Sequence, residues 1–218
     1  MLDSMTSGPP DIVPGSVGLL GGTFDPIHMG HLAAGEAARE ALGLERVIFF
    51  PAGDPQMKPR GPQASPEDRA QMTALAIEGN PAFELSRIEL DRPGPSYAVD
   101  TVDDLTREAQ AAGKSATFTF ILSAEAFLGL PRWHEPDRLV EMCRFVVVPR
   151  ADVEPPPPSW LNDHFPGRAD RFTMLDRPHL AISSTEIRAR VGVGRSIRYL
   201  VPEAVRAYIA DHRLYRAD

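Results

Sequence analysis

The 218-residue chain has a single cysteine, Cys143, so no disulfide can close within it. It lies in the apolar segment Met142-Cys143-Arg144-Phe145-Val146 and reads as a buried small hydrophobe, not a nucleophile. Long apolar runs are missing too. None approaches the about 20 residues that a membrane helix needs, and the N-terminus lacks the apolar region of a signal peptide. A cytoplasmic protein with no membrane partner is expected. Positive charge is short: the formal net charge is −7. A general nucleic-acid binder shows a basic face, so no nucleic-acid partner is expected. There is no internal repeat, and nothing in the chain speaks for or against a homo-oligomer.

The length suits one domain. Residues 1–15 are rich in Ser, Gly and Pro without periodicity and are expected to form a flexible extension, leaving 16–218 as the domain. A strand apolar throughout is expected at Val17 to Leu20, a second strand at Arg46 to Phe50, and further apolar strands at Thr117 to Leu122 and Phe145 to Val148. Phe83 to Leu90 alternates apolar and polar residues and reads as an edge strand. A weaker strand is expected near Phe172 to Leu175. Helices are expected at about Gly30 to Leu42, from Pro66 behind the N-cap Ser65 to Gly79, and from Ala98 to Ala112. Others are expected at Ser123 to Leu130, Pro136 to Glu141, after Ile182, and at Glu203 to His212. Pro155 to Pro158 is a stiff surface loop. Alternating strands and helices imply an α/β fold, a Rossmann-like, doubly wound, mostly parallel sheet with helices on both faces.

The most informative stretch is Gly21-Gly22-Thr23-Phe24-Asp25-Pro26-Ile27-His28-Met29-Gly30-His31-Leu32, between the first strand and the first helix. Glycines let a backbone approach a ligand closely, and a helix N-terminus supplies unpaired N–H groups and a positive dipole end for phosphate. His28 and His31 stand three apart on one helical face. Beside a positive helix end an imidazole favours its neutral form, which still donates one N–H to a phosphate oxygen. Two such histidines could also be half of a metal site, or plain surface residues.

A second stretch, Ile182-Ser183-Ser184-Thr185-Glu186-Ile187-Arg188, puts hydroxyls, free N–H groups and a guanidinium at another helix start. That is either a polyphosphate cradle or a capped helix with an exposed arginine. A third, Gly94-Pro95-Ser96-Tyr97-Ala98-Val99-Asp100-Thr101, precedes Leu130-Pro131-Arg132-Trp133-His134. An indole suits a flat, electron-poor, cationic ring, although core packing alone would also account for Trp133.

Together the first two stretches resemble the nucleotide signature of the nucleotidylyltransferase superfamily, with its His-x-Gly-His and Ser-Ser-Thr-x-x-Arg elements. The third resembles the Pro-Ser-Tyr-x-x-x-Thr element of the bacterial nicotinate mononucleotide adenylyltransferases of NAD synthesis. Pro51 to Lys58 resembles that family's Pro-x-x-x-Pro-x-x-Lys loop, and Val148-Pro149-Arg150 its arginine after a strand. The resemblance covers about Val17 to Tyr215.

It implies adenylyl transfer from ATP to nicotinate mononucleotide, giving nicotinate adenine dinucleotide and pyrophosphate. His28, His31, Lys58 and Arg188 would be catalytic. ATP would lie against Gly21, Gly22, Thr23, Phe24, His31, Ser123, Glu125, Ile182, Ser183, Ser184 and Arg188. The mononucleotide would lie against Tyr97, Ala98, Thr101, Trp133, His134 and Arg150. Mg2+ would arrive on the ATP phosphates, with no metal ligated by a protein cage.

The chain departs from the family at Met57, where histidine is common, at Ala98, where threonine is usual, and at Ser123-Ala124-Glu125 in place of Gly-x-Asp. Those departures motivate two alternatives: use of nicotinamide mononucleotide, alone or as well, and a nucleotide-binding regulatory module without turnover.

Overall fold

The four most apolar strands occupy the middle of one six-stranded sheet, and the two weaker ones take its edges. In chain order they are β1 (Val13–Gly22), β2 (Leu44–Pro51), β3 (Phe83–Leu85), β4 (Thr117–Ser123), β5 (Arg144–Val148) and β6 (Phe172–Met174). Their spatial order is β3-β2-β1-β4-β5-β6, and every pairing is parallel. This is the Rossmann-like order, with its reversal between β1 and β4, where such sheets open a ligand crevice. The computed structural model describes residues 12–55 and 61–216.

Successive side chains of a strand point to opposite faces, so a strand covered on both sides must be apolar throughout. In β2, Ile48 and Phe50 join one core cluster while Val47 and Phe49 join the other. β5 divides the same way, Phe145 and Val147 against Val146 and Val148. The first cluster is closed by α3 (Ala98–Ala111), α4 (Ala124–Gly129) and α5 (Pro136–Met142), through Val99, Val102, Phe127, Leu139 and Val140. The second is closed by α1 (Met29–Leu42), α2 (Pro66–Ile77) and two late helices. The short α6 (Trp160–His164) precedes those two, which are α7 (Ser184–Gly192) and α8 (Glu203–Asp211).

Local signals placed most helix ends. Gly43 ends α1 in the left-handed region at φ 61°. Ser65 caps α2, its hydroxyl accepting from the Asp68 N–H, with Pro66 in the first turn. Cys143 is buried and its thiol pKa is pushed up to about 12 by that burial, which leaves it inert.

Two expectations fail, and one helix is unforeseen. β1 begins at Val13, inside the stretch read as a flexible extension, because Val13 pairs with Leu44 and Gly15 N–H donates to Glu45. Residues 1–11 lie outside the described ones. The strand expected over Phe83 to Leu90 covers only 83–85, and its polarity is inverted beyond that point. Glu89 is the buried residue, while Ile88 and Leu90 are half-exposed. The hydroxyls of Ser96 and Thr101, in the segment that follows, satisfy the Glu89 carboxyl, which alternation in the sequence cannot foretell. Helix α6, after the proline run, was not expected at all.

Candidate active site

All the expected nucleotide residues among those described stand at the carboxyl edge of the sheet. β1 ends at Gly22, and α1 starts behind the N-cap His28. Room at the two glycines is already taken: a Cβ would stand 2.4 Å from the Phe50 ring at Gly21 and 2.7 Å from the Phe24 ring at Gly22. These glycines therefore serve packing within the chain, a nearer reason than approach to a ligand. Phe24, at φ 49°, in turn meets the His31 ring edge-on at 4.9 Å.

His28 is 5 % exposed and its ring stacks on His31 with 3.7 Å between centroids. Burial, and next the charge of Arg150, lower its pKa to about 4, so His28 is neutral at neutral pH. Its Nδ1 is buried without a hydrogen-bond partner, a state that buried polar atoms rarely show. His31 Nδ1 accepts the His28 backbone N–H at 3.2 Å. A neutral His31 must then carry its proton on Nε2.

The second motif arrives here from the other end of the chain. Ser184 donates its hydroxyl to the Pro26 carbonyl at 2.9 Å. Arg188 Nη1 donates to the Asp25 carbonyl at 2.7 Å and lies 3.6 Å from its carboxylate. A Cβ on Gly30 would be 3.6 Å from that of Ile182. The hydroxyls of Ser183 and Ser184 are thus engaged, Ser183 capping α7 through the Glu186 N–H. What this helix start has free of intrahelical partners is the backbone N–H of Ser184 and Thr185.

Ser123 likewise caps α4, accepting from Ala126, and Glu125 stands exposed in its first turn. Arg150 pairs with Asp152 at 2.9 Å, and its charge reaches both His28 and Glu125. The third motif and the tryptophan also meet: Tyr97 stacks on His134 at 4.2 Å, and half-buried Trp133 stands edge-on to Phe120 at 5.8 Å. Ala98 opens α3 beside them. Thr101, expected to touch the mononucleotide, is fully buried, and its hydroxyl donates to Glu89 at 2.7 Å. It holds the fold beneath the crevice instead. Lys58 and Met57 lie outside the described residues.

Two residues that sequence reasoning missed fix this edge. Glu89 accepts from Thr101 and Ser96, and burial raises its pKa. Ser96 accepts in turn from Gly53 N–H at 3.0 Å and Asp54 N–H at 3.1 Å, tying the third motif to the end of β2. Arg69, fully buried, donates from Nη1 to the carbonyls of Thr23 at 2.9 Å and Ala52 at 2.6 Å. It staples the ends of β1 and β2 together. Neither residue carries a local signal, since each is defined by partners beyond its neighbours in sequence.

A concavity of about 440 Å³ opens elsewhere, between the far end of α7 and α8, lined by Arg195, Arg198, Arg206 and Arg216 among others. It does not reach the histidines. Among the described residues no group of three or more His, Cys, Asp or Glu could hold a metal, and no helix is long and apolar enough to cross a membrane.

A family model described as cytidylyltransferase-like matches residues 19–190. A probable nicotinate-nucleotide adenylyltransferase of Roseiflexus sp. (strain RS-1) is 46 % identical over 200 residues, 92 % of this chain and 98 % of that protein. The chain belongs to the nicotinate-nucleotide adenylyltransferase family. A probable nicotinate-nucleotide adenylyltransferase of Moorella thermoacetica is 45 % identical over 205 residues, 93 % of each chain. Among solved structures, a Plasmodium falciparum nicotinic acid mononucleotide adenylyltransferase complexed with NaAD superposes with a TM-score of 0.75 at 17 % identity. It covers 92 % of this chain and 97 % of that one. At that identity the likeness speaks for the fold alone, and the two bacterial relatives carry the family.

Proposed function

We propose that the protein transfers the adenylyl group of ATP to nicotinate mononucleotide, releasing pyrophosphate and forming nicotinate adenine dinucleotide, a step of NAD biosynthesis. The observation that carries this reading is the meeting of Gly30 with Ile182 and of Asp25 and Pro26 with Arg188 and Ser184. It joins the two phosphate-binding motifs into one site at the crevice of the sheet.

The mononucleotide's phosphate is already an anionic nucleophile, so the site needs no general base. Its oxygen attacks the α-phosphorus of ATP, the bond to the bridging oxygen breaks, and pyrophosphate departs with the electron pair. Catalysis is positioning plus neutralisation of charge developing on the phosphates. His31, with its proton on Nε2, donates to a phosphate oxygen, and neutral His28 shares that face. Arg188 and the N–H groups of Ser184 and Thr185 receive the leaving pyrophosphate, with Lys58 assisting. Gly21 to Phe24, Ser123, Glu125, Ile182 and Ser183 shape the ATP side. Trp133 stacks on the pyridinium ring, flanked by Tyr97, Ala98 and His134, and Arg150 attracts the mononucleotide's phosphate.

The residues present do not fit a protein-ligated Mg2+. Asp25, the carboxylate nearest the histidines in sequence, is already filled by backbone N–H groups and a tyrosine hydroxyl. A magnesium ion would come with ATP, held by phosphate oxygens and water.

The test is pyrophosphate release with ATP and magnesium, comparing nicotinate and nicotinamide mononucleotides. A strong preference for the first supports the reading. Equal use of both would make the pocket dual-specific and assign that breadth to Ala98. Tight ATP binding without release from either would turn the reading to a regulatory module.

A further inference from the structure

The turn after α8 reaches the proposed nucleotide site. After α8 the backbone folds back through two residues in the left-handed region, Arg213 at φ 53° and Tyr215 at φ 60°. That conformation is costly for a tyrosine and persists only where surrounding contacts hold it. Here it passes the end of α7, where the Tyr215 carbonyl lies 3.5 Å from the place a Cβ on Gly192 would take. It carries the Tyr215 hydroxyl to the carboxylate of Asp25, donating to Oδ1 at 2.8 Å across 190 positions of sequence.

Asp25 is 3 % exposed and stands three residues before His28. Oδ1 also accepts the Ala64 N–H at 3.0 Å, and Oδ2 accepts the Gln63 N–H at 2.8 Å. Arg188 Nη1 lies 3.6 Å from Oδ2 and is bonded to the carbonyl of the same residue. One carboxylate therefore joins four segments: the histidine loop, residues 63 and 64 ahead of α2, the arginine of α7, and the C-terminal turn. Of its ties, the tyrosine hydroxyl is the one that a single substitution removes without disturbing a backbone or a charge.

We infer that Tyr215 is a positioning residue for ATP: by holding the Asp25 carboxylate in place, its hydroxyl fixes Arg188 and the 63–64 loop in the arrangement that receives the triphosphate. Burial and the Asp25 charge raise the tyrosine's pKa, so the hydroxyl remains a donor over the working range of pH. The inference rests on the proposed reading only in taking the Arg188 site as the one that binds ATP.

The test compares Tyr215→Phe with Tyr208→Phe. Tyr208 makes a chemically similar bond from the same C-terminal region, its hydroxyl donating to Asp68 at 2.9 Å, but that carboxylate belongs to α2, whereas the ion pair of Arg188 is with Asp25. Affinity for a non-hydrolysable ATP analogue with magnesium is read by calorimetry, KM for nicotinate mononucleotide by turnover, and folding by thermal melts. Tyr215→Phe is expected to weaken the analogue about tenfold, the scale of one hydrogen bond to a charged group. Tyr208→Phe is expected to bind it as the unaltered protein does. Both should keep the mononucleotide KM within about twofold. Analogue binding by Tyr215→Phe within twofold of the unaltered protein would overturn the inference. So would equal weakening by both variants alongside equal losses of melting temperature, which is what a merely structural bond would give. Analogue binding needs no turnover, so an inactive but ATP-binding protein would sink the proposed reaction and leave this comparison standing.

Discussion

The backbone N–H of His28 donates to Nδ1 of His31 at 3.2 Å while the two rings stack at 3.7 Å. The first residue of the motif thereby sets the tautomer of the second. It leaves Nε2 as the nitrogen on which a neutral His31 carries its proton. A donor that meets charge developing in a transition state is worth about 10²–10³ in kcat. His31→Ala is expected to lose that much turnover while its melting temperature falls by only a few degrees. Near-normal turnover in the variant would remove His31 from the catalytic set.

His28 gives stability a pH dependence of definite sign. Its pKa is lowered to about 4 from an ordinary 6.5, chiefly by burial. Between those values the unfolded chain takes up a proton that the folded one refuses, so stability falls as pH drops from 6.5 towards 4. By pH 4.5 this one group should cost about 2–3 kcal/mol, at roughly 1.4 kcal/mol per pH unit. Melting curves of the unaltered protein and His28→Gln, taken from pH 7.5 to 4.5, should diverge at the acid end. Parallel curves would show that the imidazole titrates normally.

Gly53 stands where β2 meets the Tyr97 element, and an added Cβ would be 2.1 Å from the Glu89 carbonyl oxygen and 3.1 Å from Ser96 Oγ. The obstacle is backbone, which cannot swing aside. Gly53→Ala is expected to cost about 3 kcal/mol, at the upper end for overpacking. That corresponds to a fall of roughly 6–12 °C in Tm for a chain of this size. A Tm within 2 °C of the unaltered protein's would mean that the two loops are not held together as described.

Trp133 is only half-buried, and its ring plane stands at 73° to that of Phe120. A face left to a ligand ring is worth about 1–3 kcal/mol of stacking. Trp133→Ala should therefore raise KM for nicotinate mononucleotide about tenfold or more and leave KM for ATP within about twofold. Steady-state titration of each substrate separates the two. If ATP suffers equally, the indole supports the fold and not the pyridine.

Much of this molecule was legible one residue at a time. The apolar strands, the Ser65-Pro66 start and the Gly43 stop are local codes, because strand burial repeats every second residue and helix caps act within one turn. The stretches around His28 and Ser184 could be located too, since each is a short run of distinctive residue types, and the fold brings the two into contact. Glu89 defeated the same reasoning. Its place in an alternating stretch assigns it to solvent, yet hydroxyls of Ser96 and Thr101 make its burial affordable.

By itself the sequence determined the α/β class, the order of its elements along the chain and the two stretches proposed to hold phosphate, because strand and helix patterns and short motifs are written in residues close along the chain. Only the tertiary structure decided that Asp25 would gather Gln63, Ala64, Arg188 and Tyr215, and that Arg69 would bind the ends of β1 and β2. A buried charge must find its partners wherever folding brings them, so those pairings appear only once the chain has closed around it.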